Sequence, residues 1–208
     1  MTKEQGILQG VFSEVYSKRY WPGPHPSGPG STLEATRQLR NYLSGYLRNN
    51  AGDVTEVLFA GCGVWEWQMR INFGGLYRVV GVDIVPKVIQ ENKRLFGAKT
   101  TYLFDFRCLD ITKDALPVHA KCVIFCKDVF QHLNNILVSK ALAQFSLTSA
   151  HTLITSSDSH PLPPTNESRT WVGVGYCPEN LMLEPFNLEP PFDVVKLDEK
   201  WYYFWKLR

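Results

Sequence analysis

The chain has 208 residues, of which 44% are hydrophobic and 20% charged, as expected for a single soluble globular domain with a full hydrophobic core. Its formal net charge of +2 gives no electrostatic argument for a nucleic-acid or membrane partner, and its apolar stretches are too short to span a membrane. No signal-peptide apolar core follows Met1, so we expect a cytoplasmic protein.

The amino-terminal part of the chain predicts two helices separated by a turn-rich segment. Apolar residues occur at helical spacing in residues 1–20. Proline and glycine dominate residues 21–30, which excludes a helix or a central strand there. Ser31 and Glu34 form the sequence pattern of a capping box, so the second helix is predicted to begin at Ser31 and to end near Leu47.

Apolar runs and helical patterns then alternate along the middle of the chain. This alternation predicts a doubly wound, mostly parallel α/β sheet. The segment 86–96 has proline in its first turn and is followed by glycine, the usual start and stop of a helix. The predicted strands cover about 56–60, 77–82, 101–106, 122–126 and 152–155, and the predicted helices cover about 65–72, 86–96 and 129–145.

The last part of the chain predicts a long loop and an antiparallel hairpin. Residues 156–191 are rich in Pro, Ser, Asn and Gly but also contain large aromatic residues, a composition typical of a packed functional loop. Residues 192–198 and 201–207 predict two strands that close the sheet edge. We expect one domain, with a core at 54–208 and an amino-terminal helical cap at 1–50.

The cysteines do not suggest a metal site. There are five, and most lie in or beside apolar runs, which is typical of buried free thiols. Cys122 and Cys126 would share one face of a strand, but no second pair of ligands follows at a metal-binding spacing. We therefore expect no metal.

A glycine-rich turn after the first predicted strand is the strongest sign of function. The apolar run 57–60 ends in Gly61-Cys62-Gly63, and Asp83 ends the next predicted strand about 20 residues later. Glycines there let the backbone turn tightly and approach a ligand closely. A carboxylate at the end of the second strand is suited to hydrogen-bond the diol of a ribose. These features predict a nucleoside-cofactor site on a parallel sheet.

Six short motifs follow one another in an order and at distances that together resemble one family. They are Ser-Gly-x-Gly-Ser at 27–31, Gly-Cys-Gly-x-Trp-x-Trp at 61–67, Gly-Val-Asp-Ile-Val-Pro at 81–86, Leu-Asp-Ile-Thr at 109–112, a basic residue with Asp-Val-x-Gln-His-Leu at 127–133, and Phe-Asn-x-x-Pro-Pro-Phe at 186–192. The pattern resembles a small branch of the Rossmann-like, class I, S-adenosylmethionine-dependent methyltransferases. The resemblance implies S-adenosyl-L-methionine as cofactor, S-adenosyl-L-homocysteine as product and an unidentified small-molecule acceptor.

The resemblance also implies cofactor contacts. Asp83 would bind the ribose hydroxyls, with a simple strand-end cap as its alternative role. Asp110 would meet the adenine amino group, or else form a turn with Thr112. Residues 27–31 would wrap the methionine carboxylate with free N–H groups at a helix start, or else serve as a linker with a helix cap. The expected cofactor-binding residues are Gly61, Cys62, Gly63, Asp83, Ile84, Asp110, Ile111, Lys127, Ser27 and Gly30.

Two residues after the fourth predicted strand are candidates for catalysis. Asp128 and His132 are expected one helical turn apart over the acceptor pocket, with His132 as a general base. The alternative is a helix cap at Asp128 and a surface histidine. Asn187 belongs to a proline-rich segment that we interpret as structural. Further candidates, each with a purely structural alternative, are Asp158, His160, Trp65 and Trp67.

Two positions depart from the family pattern. Phe59 stands where the family usually has an acidic residue that anchors the network around the cofactor's amino end, and Val64 stands where the branch tends to have Asp. One lost charged hydrogen bond costs about 1.5–3 kcal/mol, which predicts binding weakened by roughly one or two decades. The alternative function is a non-catalytic cofactor-binding or scaffold protein. An NAD-linked reductase is disfavoured because no third glycine occurs near Glu66 and no Tyr-x-x-x-Lys pair follows the fourth strand.

Overall fold

The computed structural model describes residues 3–76, 78–97, 104–119 and 121–207. Within these ranges one sheet is formed by β1 (Glu56–Ala60), β2 (Arg78–Asp83), β3 (Phe104–Cys108), β4 (Cys122–Cys126), β5 (Thr152–Ser157), β6 (Asp193–Leu197) and β7 (Lys200–Lys206). The strand order is β3-β2-β1-β4-β5-β7-β6. β1 to β5 pair in parallel, whereas β7 is antiparallel to both β5 and β6. The predicted mostly parallel sheet with a carboxyl-terminal antiparallel hairpin is confirmed.

Helices cover both faces of the sheet, as a doubly wound fold requires. Phe59 packs on one face with Leu43 and Ile89, whereas its neighbour Leu58 packs on the other face with Val138 and Phe145. Because both faces are covered, the central strands β1 and β4 are buried at every position, and apart from Glu56 at the start of β1 they consist of apolar residues. The α-helices of the described residues are α1 (Lys3–Lys18), α2 (Arg37–Asn49), α3 (Pro86–Phe96) and α4 (Asn135–Ser146).

The start of α2 differs from the prediction. The capping box of Ser31 and Glu34 does not form, because α2 begins only at Arg37 and the Ser31 hydroxyl donates instead to the carbonyl of Ser27 at 3.2 Å. The amino terminus of α2 is capped from a distant part of the chain. The Asp198 carboxylate, in the β6–β7 turn, accepts hydrogen bonds of 3.0 and 3.3 Å from the N–H groups of Gln38 and Leu39 in the first turn of the helix.

The helix predicted over 65–72 is wrong. Only a 3₁₀ turn at Gln68–Arg70 forms there. The Trp65 side chain is fully buried on one face of the sheet, and Gly81 of β2 leaves room for it, since a Cβ atom on Gly81 would lie 3.1 Å from the indole. Burial of a large aromatic side chain therefore takes precedence over the local helical pattern.

The helix predicted over 129–145 is divided in two. A 3₁₀ turn at Phe130–His132 comes first, and α4 begins at Asn135. The side chain of Asn134 caps α4, because its Oδ1 accepts a 3.0 Å hydrogen bond from the N–H of Leu137. The sequence predicted one helix because apolar residues occur in both the turn and α4.

The bounds of β1, α3 and β4 agree with the prediction at both ends. The predicted residue 77 of the second strand and residues 101–103 of the third lie outside the described residues. None of the helices in the described ranges combines the length and the hydrophobicity that crossing a lipid bilayer requires.

Candidate functional site

A cavity of about 430 Å³ lies at the carboxyl ends of β1, β2 and β4, where the strand order reverses. Ligands of doubly wound folds bind at this position, because the connections on either side of it diverge to opposite faces of the sheet. The structure brings together in its lining every residue predicted for catalysis or cofactor binding: Ser27, Gly30, Gly61, Cys62, Gly63, Asp83, Ile84, Asp110, Ile111, Lys127, Asp128 and His132.

The turn after β1 forms one wall of the cavity and requires glycine at two positions. Gly61 has a φ of +67°, and a Cβ atom there would lie 2.4 Å from the Val129 side chain. Gly63 has a φ of +58°, and a Cβ atom there would lie 2.6 Å from the Ser27 hydroxyl. The two glycines therefore allow a backbone path that side chains would block.

Asp83 is buried at the end of β2 and faces the glycine turn. Its Oδ2 accepts a 2.9 Å hydrogen bond from the N–H of Gly63, and its Oδ1 accepts one of 3.0 Å from the N–H of Val85. Burial raises the pKa of Asp83, while these backbone donors act in the opposite direction. Each carboxylate oxygen can accept a second hydrogen bond, so the structural role does not preclude binding to a diol.

Asp110, which follows β3, is engaged in a local turn. Its Oδ1 accepts hydrogen bonds from the N–H and the hydroxyl of Thr112 at 2.9 and 2.6 Å, and its Oδ2 pairs with Lys113 at 2.7 Å. Burial opposes ionisation of Asp110, but the hydrogen bonds from Lys113 and Thr112 outweigh it and lower the pKa. Apolar side chains surround this end of the cavity, including those of Leu8, Phe12, Ile84, Leu109 and Ile111.

The segment Ser27–Ser31 folds across the cavity, but not as a helix start with free N–H groups. The N–H groups of Ser27, Gly28 and Ser31 donate to atoms of residues 25–28. Only a three-residue 3₁₀ turn, Pro29–Ser31, follows. The expectation that these N–H groups are free for an anion is therefore wrong for these three residues.

Helix α1 contributes to the lining of the cavity through Leu8, Phe12 and Tyr16. The Tyr16 hydroxyl is 3.1 Å from the Ser27 hydroxyl, which also accepts a 3.0 Å hydrogen bond from the N–H of Val64. The Gln9 side chain donates to the carbonyl of Ile84 at 3.1 Å. These contacts connect α1 to the glycine turn and to the end of β2.

Charged side chains form a compact cluster at the ends of β4 and β5. Lys127 and Lys200 both pair with Asp128, and Lys200 also pairs with Asp158. Lys127 further donates to the carbonyl of Gly30 at 2.8 Å. Burial opposes ionisation of Asp128, but the two ammonium groups outweigh it and hold the pKa of that carboxyl well below its usual range. Asp128 is therefore anionic and oriented by its partners.

His132 has a defined tautomer. Its Nδ1 lies 2.7 Å from the carbonyl oxygen of Gly175, which can only accept, so Nδ1 carries the proton and Nε2 of the neutral ring has a free lone pair. Burial lowers the pKa of His132, which favours this neutral form. The ring centroid of His132 lies 5.5 Å from that of Trp21. His132 ends a 3₁₀ turn, so it is not one α-helical turn from Asp128 as predicted.

The long loop after β5 is held in place by buried polar contacts. The Arg169 guanidinium pairs with Glu179 at 2.8 Å and donates to the carbonyl of Cys177 at 3.0 Å. The N–H of Cys177 donates in turn to the carbonyl of Gln131, beside the cavity. Burial raises the pKa of Glu179 to about 7, with Arg169 acting in the opposite direction. The loop therefore positions Gly175 against His132.

No protein-family model matches the sequence, and no curated protein matches it. Solved structures do match along most of the chain. Magnesium protoporphyrin IX methyltransferase (ChlM) from Synechocystis PCC 6803 with bound SAM aligns with a TM-score of 0.59 and 15% identity, covering 99% of this chain and 97% of that one. N-methyltransferase NodS from Bradyrhizobium japonicum WM9 aligns with a TM-score of 0.58 and 16% identity, covering 84% and 96%. The DhpI–SAH complex aligns with a TM-score of 0.60 and 14% identity, covering 96% and 95%.

The chain has the class I methyltransferase fold. Identities of 14–16% carry this conclusion for the fold alone.

Phe59 forms an aromatic part of the cavity wall, at the position where the sequence resemblance implies an acidic residue. It is buried in β1 and lines the cavity. Its ring centroid lies 5.0 Å from that of Trp65, 5.9 Å from that of Trp67, 5.4 Å from that of Phe125 and 6.2 Å from that of Phe73. A carboxylate in this environment would lose its hydration without gaining a charged partner among the rings.

The other sequence candidates fall into two groups. Trp67 and Asp158 line the cavity, whereas Trp65 is enclosed in the core. His160 lies elsewhere, with its ring stacked 4.1 Å from that of Trp201. Asn187 borders a separate groove beside α4.

Several side chains that line the cavity were not predicted from the sequence. Tyr16 and Trp21 precede β1, Gln68 lies in a wrongly predicted helix, and Lys200 lies in the hairpin. Only the helical spacing of apolar residues in α1 could have indicated that this helix packs against the rest of the protein. Among the described residues, no group of three or more His, Cys, Asp or Glu side chains is arranged to hold a metal ion.

Proposed function

We propose that this protein transfers a methyl group from S-adenosylmethionine to a small-molecule acceptor. One observation carries the proposal. A single cavity joins a glycine turn and the buried Asp83 carboxylate to the neutral imidazole of His132. A nucleoside-binding end and a proton-accepting group are the two parts that such a reaction needs.

The cavity suits the cofactor in size and chemistry. About 430 Å³ lies in the range of small-molecule sites. Asp83 would bind the ribose hydroxyls, and Asp110 with Ile111 would bind the adenine among apolar neighbours. Lys127, which donates to the carbonyl of Gly30, would meet the methionine carboxylate, because an ammonium group is the natural partner of a carboxylate.

S-adenosylmethionine supplies an electrophilic methyl group on a sulfonium, which an acceptor nucleophile takes by in-line displacement. The chain's contribution is chiefly to hold the acceptor in line and to exclude water, since positioning can supply a large part of such a rate enhancement. Helix α1, which lines the cavity through Leu8, Phe12 and Tyr16, would help to exclude water.

His132 is the proposed general base. Its Nε2 would take the proton of the acceptor, and the carbonyl of Gly175 would support the imidazolium that results through Nδ1–H. Asp128 pairs with two lysines, and its low pKa makes it a weak base. It would contribute its negative charge and its fixed orientation instead of accepting a proton.

Calorimetric titration with S-adenosylmethionine and S-adenosylhomocysteine tests the binding part of the proposal. We expect saturable binding of both in the micromolar range, and absence of binding at millimolar ligand would contradict it. The transfer part is tested by incubation with methyl-labelled S-adenosylmethionine and small hydroxyl, amine and thiol compounds. Label in an acceptor, lost in His132→Gln, is the expected result.

A non-catalytic cofactor-binding or scaffold protein is the second candidate. The presence of Phe59 favours this candidate, because the sequence resemblance implies an acidic residue at that position near the end of β1. This candidate predicts that no acceptor in the panel takes up label, and that His132→Gln leaves ligand affinity unchanged.

A further inference from the structure

The side chain of Gln68 has one buried polar atom without a partner. Gln68 is 1% exposed and lines the cavity. Its Nε2 donates a 2.8 Å hydrogen bond to the carbonyl of Cys62. Because a carbonyl can only accept, this contact fixes the orientation of the amide and identifies the other atom as Oε1. Oε1 has no hydrogen-bond partner among the described residues.

An unpaired buried acceptor is costly, so it points to a donor that arrives with a ligand. Phe59 and Trp67 also line the cavity, and neither residue donates a hydrogen bond to Oε1. A neutral amide oxygen can be kept in such surroundings at lower cost than a carboxylate. Gln68 is thus suited to receive an N–H or O–H group of the molecule that fills the cavity.

The proposed cofactor carries three sets of N–H and O–H donors: the adenine amino group, the ribose hydroxyls and the α-ammonium group. Asp110 and Asp83 are suited to the first two. The α-ammonium group is left, and Gln68 lies against the carbonyl of Cys62, at the centre of the glycine turn.

We propose that Oε1 of Gln68 accepts a hydrogen bond from the α-ammonium group of the cofactor's methionyl portion. This inference rests on the proposed function. The neutral amide of Gln68, in the 3₁₀ turn Gln68–Arg70, would make the contact that Phe59 cannot make because it has no carboxylate. The alternative occupant of Oε1 is an ordered water molecule, which would make Gln68 purely structural.

Three ligands separate these roles by calorimetry. S-adenosylhomocysteine carries the α-ammonium group, its deaminated analogue lacks only that group, and 5′-methylthioadenosine lacks the whole amino-acid portion. Gln68→Met keeps the length of the side chain and removes both polar atoms. We expect it to weaken binding of S-adenosylhomocysteine about tenfold or more, since a hydrogen bond to a charged group is lost. We expect the affinities for the other two ligands to stay within about twofold.

Gln68→Glu is the second variant, because it retains an oxygen acceptor while losing the donor to Cys62. It should keep the preference for S-adenosylhomocysteine over the deaminated analogue that Gln68→Met loses, and it decides the question if Gln68→Met does not fold. Equal weakening of all three ligands by Gln68→Met would show a structural role and overturn the inference. If the wild-type protein binds S-adenosylhomocysteine but Gln68→Met preserves the preference for it, the inference fails and the proposed function stands. If the wild-type protein binds none of the three, both fail.

Discussion

The N–H of Gly63 donates a 2.9 Å hydrogen bond to Oδ2 of Asp83, and this contact connects the ends of the first two strands. The same carboxylate holds the turn after β2 through Val85. The loop that would approach the ligand and the group that would bind its ribose are therefore parts of one buried unit.

Asp83→Asn is expected to weaken S-adenosylhomocysteine binding by one to two decades. The amide removes the charge, worth about 1.5–3 kcal/mol in a hydrogen bond, and turns an N–H group toward a backbone donor. Asp53→Asn, in an exposed turn, is the matched control and should leave the affinity unchanged. Calorimetry measures both, and unchanged affinity in Asp83→Asn would remove the basis of the ribose assignment.

Gly63→Ala and Gly74→Ala separate backbone strain from crowding in the cavity. Both glycines have a φ of +58°, but a Cβ atom on Gly74 meets no atom within 4 Å, whereas one on Gly63 meets Ser27 and Tyr16. Gly74→Ala should cost about 1 kcal/mol of unfolding free energy and leave ligand binding intact. Gly63→Ala should cost more and also abolish binding. If urea denaturation gives the two variants the same unfolding free energy and calorimetry gives them the same ligand affinity, the crowding at Gly63 has no consequence.

Phe59→Asp is expected to destabilise the protein without improving binding. Removing the ring opens a cavity among four aromatic side chains, and the new carboxylate has no charged partner there. Phe59→Leu, the control, should cost about 1–2 kcal/mol, and Phe59→Asp should cost at least about 4 kcal/mol. Denaturation midpoints give the comparison. A stable Phe59→Asp variant with tighter S-adenosylhomocysteine binding would contradict this view of the site.

Stability should fall as pH rises from about 4.5 to 7 because of Glu179. Its pKa in the folded protein, about 7, lies above the ordinary 4.5, so in this window the folded state keeps a proton that the unfolded state releases. Across this pH window, ionisation of Glu179 lowers the unfolding free energy by up to about 3 kcal/mol. Glu179→Gln should flatten the dependence of unfolding free energy on pH in this window, whatever its effect on absolute stability. An unaltered slope in urea titrations at several pH values would refute the assignment.

His132 should be observed by ¹⁵N NMR as the Nδ1–H tautomer with a pKa below 6.5. The carbonyl of Gly175 requires the proton on Nδ1, and burial disfavours the imidazolium. Its contribution to stability is therefore present above pH 6.5 and is lost as the pH falls below it. The His132→Gln spectrum assigns the resonance. An Nε2–H tautomer would exclude the proposed base.

Local patterns predicted the central part of this fold well. The apolar runs of β1 and β4 and the proline-to-glycine bounds of α3 specify their elements without help from the rest of the chain. The glycine turn and Asp83 could be paired in advance, because the carboxyl ends of neighbouring parallel strands meet at one edge.

The elements that were predicted wrongly depend on contacts between residues that are far apart in the sequence. Helix α2 is capped by Asp198, 160 residues away from Gln38, and no local pattern can show this. The segment around Trp65 is not helical because Gly81 leaves space for an indole.

The sequence by itself determined that a glycine turn follows β1 and that a carboxylate ends β2, because apolar runs and glycine spacing are local properties of the chain. Only the tertiary structure decided what surrounds these residues. The tautomer of His132 depends on Gly175, and the orientation of the Gln68 amide depends on Cys62. The low pKa of Asp128 depends on Lys200 as well as on its neighbour Lys127. Each of these properties arises from partners that folding brings together, and hydrogen bonds and charges act through space rather than along the chain.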